Sequence, residues 1–305
     1  NVPSPPPDHA LRPGEPLADG IVRVLATHFD RIEESLTEAP DGIDVGIHTA
    51  RKTIKRLRAV LRLVREGIGH DTHHAVNHAL RDAARRLAPA RDSFVLVQTL
   101  ERATTDRGID AHHLRAWFET RHDAERQSVV EGDVVIPSVI TTIREVRTRS
   151  LDTAEAQLSS NRADTFPEPL PQGLTRTYRR GRRAFRAASS GGAEPLHEWR
   201  KRVKYLRHQC ETLEAVAPIT LAERIPQLDR LGEQLGDHHD LVVLREAVHS
   251  ATPDTLRTID LPALEAAIEE AEAALEVEAL ALGVGLYEPG VEEFVAMATF
   301  ECRRR

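Results

Sequence analysis

His48-Thr49-Ala50-Arg51-Lys52-Thr53-Ile54-Lys55-Arg56-Leu57-Arg58 aligns without a gap on His197-Glu198-Trp199-Arg200-Lys201-Arg202-Val203-Lys204-Tyr205-Leu206-Arg207. Further on, Leu87-Ala88-Pro89-Ala90-Arg91-Asp92-Ser93-Phe94-Val95-Leu96 aligns on Leu235-Gly236-Asp237-His238-His239-Asp240-Leu241-Val242-Val243-Leu244. Two sub-motifs in the same order and at nearly the same separation imply a duplicated unit of about half the chain. Similar units in one chain are expected to pack with approximate twofold symmetry, so the matched segments should face each other or line a shared cleft.

On a helix at about 100° per residue, His48, Arg51, Lys52, Lys55, Arg58 and Arg62 fall in one sector. Ala50, Ile54, Leu57, Leu61 and Val64 fall opposite. The second copy repeats this, with His197, Arg200, Lys201, Lys204 and Arg207 in front of Trp199, Val203, Leu206 and Cys210. Each segment therefore predicts an amphipathic helix with a cationic front. Seven Lys/Arg lie between Arg51 and Arg65 with no acid among them. Like charges three or four residues apart destabilise a helix by roughly 0.2–0.5 kcal/mol per pair. A stripe left unrelieved along the helix is best explained by an anion that completes it. The chain has only four lysines, Lys52, Lys55, Lys201 and Lys204, all at matched positions of the repeat. Lysine is a flexible point charge suited to phosphate oxygens in variable poses.

Outward from these segments, helical periodicity dominates and no sustained period-two alternation appears, so the fold class is all-α. Helices are expected over 18–38, 45–66, 72–87, 93–104, 111–130, 137–158, 173–188, 195–216, 221–235, 241–248, 262–282 and 291–300. Gly236 and the run Ser189-Ser190-Gly191-Gly192 read as helix stops. Residues 1–17 read as a Pro-rich extended tail. The prolines around Phe166–Pro171 divide a first unit, 18–165, from a second, 166–305. A third basic stretch opens the second unit, where Arg176, Arg179, Arg183 and Arg186 share a helical face; Arg180 and Arg182 complete the run.

The net charge of −7 argues against a polyanion binder until its distribution is read. Eleven acids and no base lie between Asp260 and Glu301, and six Arg with no acid lie between Pro171 and Ala193. Local patches therefore matter more than the sum. No apolar run approaches the ~18 residues of a membrane span, and no basic-then-apolar leader opens the chain. Two cysteines far apart in sequence, Cys210 and Cys302, fit a reducing, cytoplasmic compartment.

The paired His-x-x-Arg-Lys-x-[Ile/Val]-Lys-x-Leu-Arg segments, the downstream Arg91-Asp92 and His239-Asp240, and Tyr178-Arg179-Arg180-Gly181-Arg182-Arg183 resemble the CHAD family, the conserved histidine α-helical domain. The resemblance covers nearly everything after the Pro-rich tail. It implies two similar helical bundles related by a pseudo-twofold axis around a central basic channel. It also implies binding of inorganic polyphosphate, association with polyphosphate granules, and contact with granule or polyphosphate-metabolising proteins. Some members carry a triphosphate tunnel enzyme domain; the resemblance here implies a stand-alone, non-enzymatic binding module. The expected polyphosphate-binding set is His48, Arg51, Lys52, Lys55, Arg58, Arg62, Arg176, Arg179, Arg183, His197, Arg200, Lys201, Lys204 and Arg207.

Other chemistry is weaker. His70, His73, His74 and His78 crowd one segment, but no Cys or acidic motif joins them, so no metal is expected. Asp92 and Asp240 are matched and would either cap a helix or orient channel arginines. No hydrolase, zinc-protease or nucleotide-loop motif is present, and no cofactor is implied. Two rivals remain at this stage. RNA binding would need stacking platforms, and the three Tyr, two Trp and seven Phe lie mostly at apolar positions. A phosphate-processing enzyme would use His48 and His197.

Overall fold

Ala50, Ile54, Leu57, Leu61 and Val64 are all fully buried, and so are Trp199, Val203 and Cys210, so the predicted apolar backs of the two basic segments are real. Each Val, Leu or Ile among them contributes about 1.5–3 kcal/mol on leaving water. The structure is a computed structural model describing residues 7–39, 42–130, 134–159 and 169–304. Among these the chain is helical throughout, with no strand. The helices are α1 (Leu17–Thr37), α2 (Ile43–Leu63), α3 (Arg65–Ile68), α4 (His70–Arg86), α5 (Pro89–Thr104), α6 (His112–Val130) and α7 (Val135–Ser159). They continue as α8 (Pro169–Ala188), α9 (Ala193–Leu213), α10 (Pro218–Leu221), α11 (Arg224–His249), α12 (Pro253–Leu256), α13 (Leu261–Leu286) and α14 (Val291–Arg304). No helix among the described residues is long and apolar enough to cross a membrane.

The two basic helices occupy equivalent places in the order. α1 packs on α2 as α8 packs on α9, and α5 pairs with α6 as α11 pairs with α13. α2 and α9 also pack on each other, which brings the matched segments together. Apolar contacts form two clusters. The larger draws on α1, α2, α4, α7, α8, α9 and α14. The smaller is built by α5, α6, α11 and α13 around Leu100, Phe118, Leu244 and Ile268. α11 runs through both, with Leu228, Leu231 and Leu235 in the first and Leu241, Leu244 and Val248 in the second.

Three local expectations are corrected. Gly236 does not stop a helix: α11 is continuous across it. Glycine costs only about 1 kcal/mol inside a helix, and α11 is held on both sides by α9 and α13. In the first copy the aligned stretch does break between α4 and α5, because Pro89 stands at the first turn of α5 and offers no N–H to continue α4. α8 begins at Pro169 rather than at 173. Pro169 and Pro171 fit its first turn, where N–H groups have no intrahelical partner anyway. Residues 7–16 are non-helical as expected but are not a free tail. Leu11 is buried and its N–H donates to Thr212 O at 2.8 Å, while Arg23 holds Ala10 O at 2.8 Å and Glu15 Oε2 at 2.6 Å. Residues 1–6 and the boundary near 165/166 lie outside the described residues.

Candidate functional site

Four helices, two from each copy of the repeat, enclose an open cavity of about 530 Å³. α2 supplies His48, Arg51, Lys52 and Lys55, and α9 supplies Arg200, Lys204, Arg207 and His208. α5 adds Asp92 and α11 adds His239 and Asp240. Six Lys/Arg thus face two carboxylates. The helical spacing explains the selection: residues 200, 204 and 207 stack on one face of α9, as 48, 51, 52 and 55 do on α2.

The site is charged yet partly withdrawn from water. Lys204 is half-buried, and its pKa is lowered to about 7 by burial and then by the charges of Arg200, Lys55 and Arg207, with Asp240 opposing them. Burial likewise lowers Arg200, whose Nε is buried without a hydrogen-bond partner among the described residues. Burial raises Asp240, against the pull of Arg200 and Lys204. His239 is held at about 3 by burial, then by Arg200 and His197. It is therefore neutral at physiological pH.

The cationic stripe is less bare than its sequence suggests, because acids reach it from other turns and other helices. Arg51 pairs with Asp92 at 3.1 Å. Arg207 pairs with Glu211 at 3.1 Å and with Asp229. Glu211 also lies 3.7 Å from Arg56. Burial alone would raise the Glu211 pKa, but the His208 hydrogen bond and the charges of Arg56 and Arg207 bring it down to about 2. The absence of acids within residues 51–65 therefore does not mean that the helix is unrelieved.

Not all expected residues meet here. Lys201, matched to Lys52 in sequence, does not line the cavity; its Nζ lies 2.7 Å from Glu198. The first copy has Thr49 where the second has Glu198, so Lys52 has no such carboxylate three residues earlier. His197 stands beside the cavity, its ring 4.2 Å from that of His239. Burial and the nearby Lys201 and Arg200 lower its pKa, so a protonated His197 is disfavoured. Arg58 and Arg62 turn to Asn77 Oδ1, at 3.0 and 3.2 Å. Arg62 and Arg176 join Arg65, Arg180 and Arg202 around a second, much smaller pocket, and Arg176, Arg179 and Arg183 line an open groove along α8.

What divides the expected single channel is the contact of α2 with α9. Ala59 and Gln209 are fully buried there, and Gln209 Nε2 donates to Ala59 O at 3.1 Å. On α2, Arg51, Lys52 and Lys55 before Ala59 line the cavity, and Arg62 after it lines the arginine pocket. His208 and Arg202 were not singled out from the sequence, and Arg65 and Arg180, though seen within basic runs, were not in the expected binding set. The signal for Arg202 was present, because residue 202 lies about 160° round the helix from residues 200, 204 and 207.

Residues 23–249 match the sequence model of the CHAD domain. An uncharacterised protein of Mycobacterium tuberculosis strain CDC 1551 / Oshkosh is 29% identical over 257 residues, 78% of this chain and 47% of that protein. An uncharacterised protein of strain ATCC 25618 / H37Rv gives the same figures. The chain spans about half the length of these curated relatives. The crystal structure of the CHAD domain from the plant Ricinus communis is similar in fold, with a TM-score of 0.62, 17% identity, and coverage of 98% of this chain and 97% of that chain. A family match over residues 23–249, a span that contains both duplicated basic segments, establishes that this chain belongs to the CHAD family.

Proposed function

We propose that the chain binds inorganic polyphosphate in the cavity between α2, α5, α9 and α11, and that it acts by binding rather than by catalysis. One observation carries the reading: six Lys/Arg from both copies converge on one open cavity against two carboxylates, with Lys204 and Arg200 held at a desolvation cost. A polyanion offsets that cost, because each phosphate restores charge compensation that the burial of these cations removed. The lysines supply point charges that tolerate the variable poses of a flexible polymer. Binding in this way would bring the chain to polyphosphate granules and to proteins that make, degrade or organise the polymer.

The lining disfavours nucleic acid. No Phe, Tyr or Trp stands among the cavity residues, so bases have no aromatic platform beyond His48, His208 and His239. Competition between long-chain polyphosphate and single-stranded RNA, at equal phosphate concentration, tests the ligand class. Polyphosphate is expected to displace RNA fully; RNA displacing polyphosphate would overturn the reading. Release of orthophosphate by the pure protein would contradict the non-catalytic part.

A further inference from the structure

The arginine pocket lies on the other side of the α2–α9 contact from the lysine cavity and shares no residue with it. Its walls are Arg62 of α2, Arg65 of α3, Arg176 and Arg180 of α8, and Arg202 and Tyr205 of α9. The enclosed space is only about 20 Å³, and the wider Arg-lined groove along α8 shares Arg176 and Arg180 with it. The shape is a narrow socket adjoining a trough.

Five guanidinium groups converge there with little to balance them. Glu66 pairs with Arg176, and Glu198 accepts from Arg202 at 2.9 Å. Arg62 stacks over the Tyr205 ring at 4.3 Å and reaches its hydroxyl at 3.4 Å. The Nε atoms of Arg62 and Arg65 are buried with no hydrogen-bond partner among the described residues. Arg180 is exposed at the rim of the socket, and its pKa is lowered by partial desolvation and then by Arg202, Arg176, Arg62 and Arg65. Buried donors without acceptors cost about 1–3 kcal/mol each, so the cluster is poised for an anion rich in acceptors.

Chemistry separates the two basic sites. The cavity mixes three lysines with three arginines, whereas every cation of the socket is an arginine, whose rigid fork matches a phosphoryl group bidentately. A terminal phosphoryl group offers three acceptor oxygens and close to two charges at neutral pH. An internal phosphate of a chain has two free oxygens and one charge. We infer that the arginine pocket is a second anion site, selective for a terminal phosphoryl group, and that the groove along α8 carries the residues behind that end. The polymer as the source of the group rests on the polyphosphate reading above; the selectivity for a terminal phosphoryl group does not.

Pyrophosphate consists of two terminal groups and no internal one, and is the direct probe. Calorimetric titration should show pyrophosphate binding to wild type and a loss of about tenfold or more in Arg65→Gln/Arg180→Gln, the size expected for losing charge-assisted hydrogen bonds. In a Lys52→Gln/Lys55→Gln/Lys204→Gln background, the same two arginine substitutions should still weaken pyrophosphate binding by about tenfold or more. Circular dichroism and thermal melting establish that the variants are folded. Polyphosphate with both ends blocked as phosphoramidates should bind the arginine variant and wild type equally, whereas free-ended polymer should lose affinity in the arginine variant. Orthophosphate competing with pyrophosphate would identify a site for any terminal phosphoryl group, and failure to compete would restrict it to chain ends; both outcomes support the socket. Absent pyrophosphate binding, or binding unchanged in the arginine variant, overturns it. Failure of blocked polymer to bind wild type would instead refute the cavity reading and leave the socket standing.

Discussion

Lys204 shows how a single residue reports on the charge balance of the cavity. Its pKa of about 7 is the result of burial beside Arg200, Lys55 and Arg207, only partly offset by Asp240. An anion in the cavity favours the charged form, so binding must take up protons wherever the free lysine is neutral. Polyphosphate affinity is therefore predicted to fall as pH rises through the window just above 7, and Lys204→Gln should flatten that dependence. Proton uptake measured by titration in buffers of different ionisation enthalpy checks this directly. The cavity histidine His239 titrates far lower, at about 3, so it does not imitate the effect. Without ligand the sign is opposite for stability. The unfolded lysine holds its proton up to about 10.5 and the folded one only to about 7, so raising pH between those values stabilises the free fold. An unchanged affinity across this window would mean that phosphate does not approach Lys204.

At the scale of elements, the position of α8 matters most for the arginine pocket. Gly173 lies so close to the end of α2 that a Cβ there would fall on the Leu63 carbonyl. Gly173→Ala must push α8 away from α2, carrying Arg176 and Arg180 with it. Overpacking of this kind typically costs 1–3 kcal/mol, and urea denaturation should show a loss of about that size together with weaker pyrophosphate binding. The amphipathic pattern made α2 and α9 legible in the sequence to within a few residues, and matched lysines named Lys52, Lys55 and Lys204 as cavity residues. The remainder was hidden for physical reasons. Gly236 looked like a stop because local propensity carries no information on the packing of α11 between α9 and α13. Lys201 looked equivalent to Lys52 because the motif ignores Glu198. The stripe looked unpaired because Asp92, Asp229 and Glu211 reach it from beyond the window that was read. The residues expected along one channel line separate pockets, because a helical wheel cannot show where a second helix crosses the first.

Across the whole molecule, the two apolar clusters are tied together by continuous helices. α11 enters both, and so does α13, with Leu264 and Ile268 in one and Ala279 and Leu286 in the other. The two tryptophans are split between them, Trp199 in the larger and Trp117 against the smaller. Single-tryptophan variants Trp117→Phe and Trp199→Phe should therefore report coincident unfolding transitions in denaturant, the signature of one cooperative unit. Separated midpoints would show that the α5–α6 and α11–α13 layer melts independently. Docking of both copies also brings α2 and α9 together, and with α5 and α11 they enclose the cavity. The measurement that bears most directly on function is binding of long-chain polyphosphate to wild type and to a folded Lys52→Ala/Lys55→Ala/Lys204→Ala variant at two salt concentrations. Wild type should bind tightly and lose affinity steeply with salt, as counterion release requires, and the variant should lose most of that binding at both concentrations. Binding that persists unchanged in the variant, or that is absent from wild type, would contradict the cavity as the site of polyphosphate recognition.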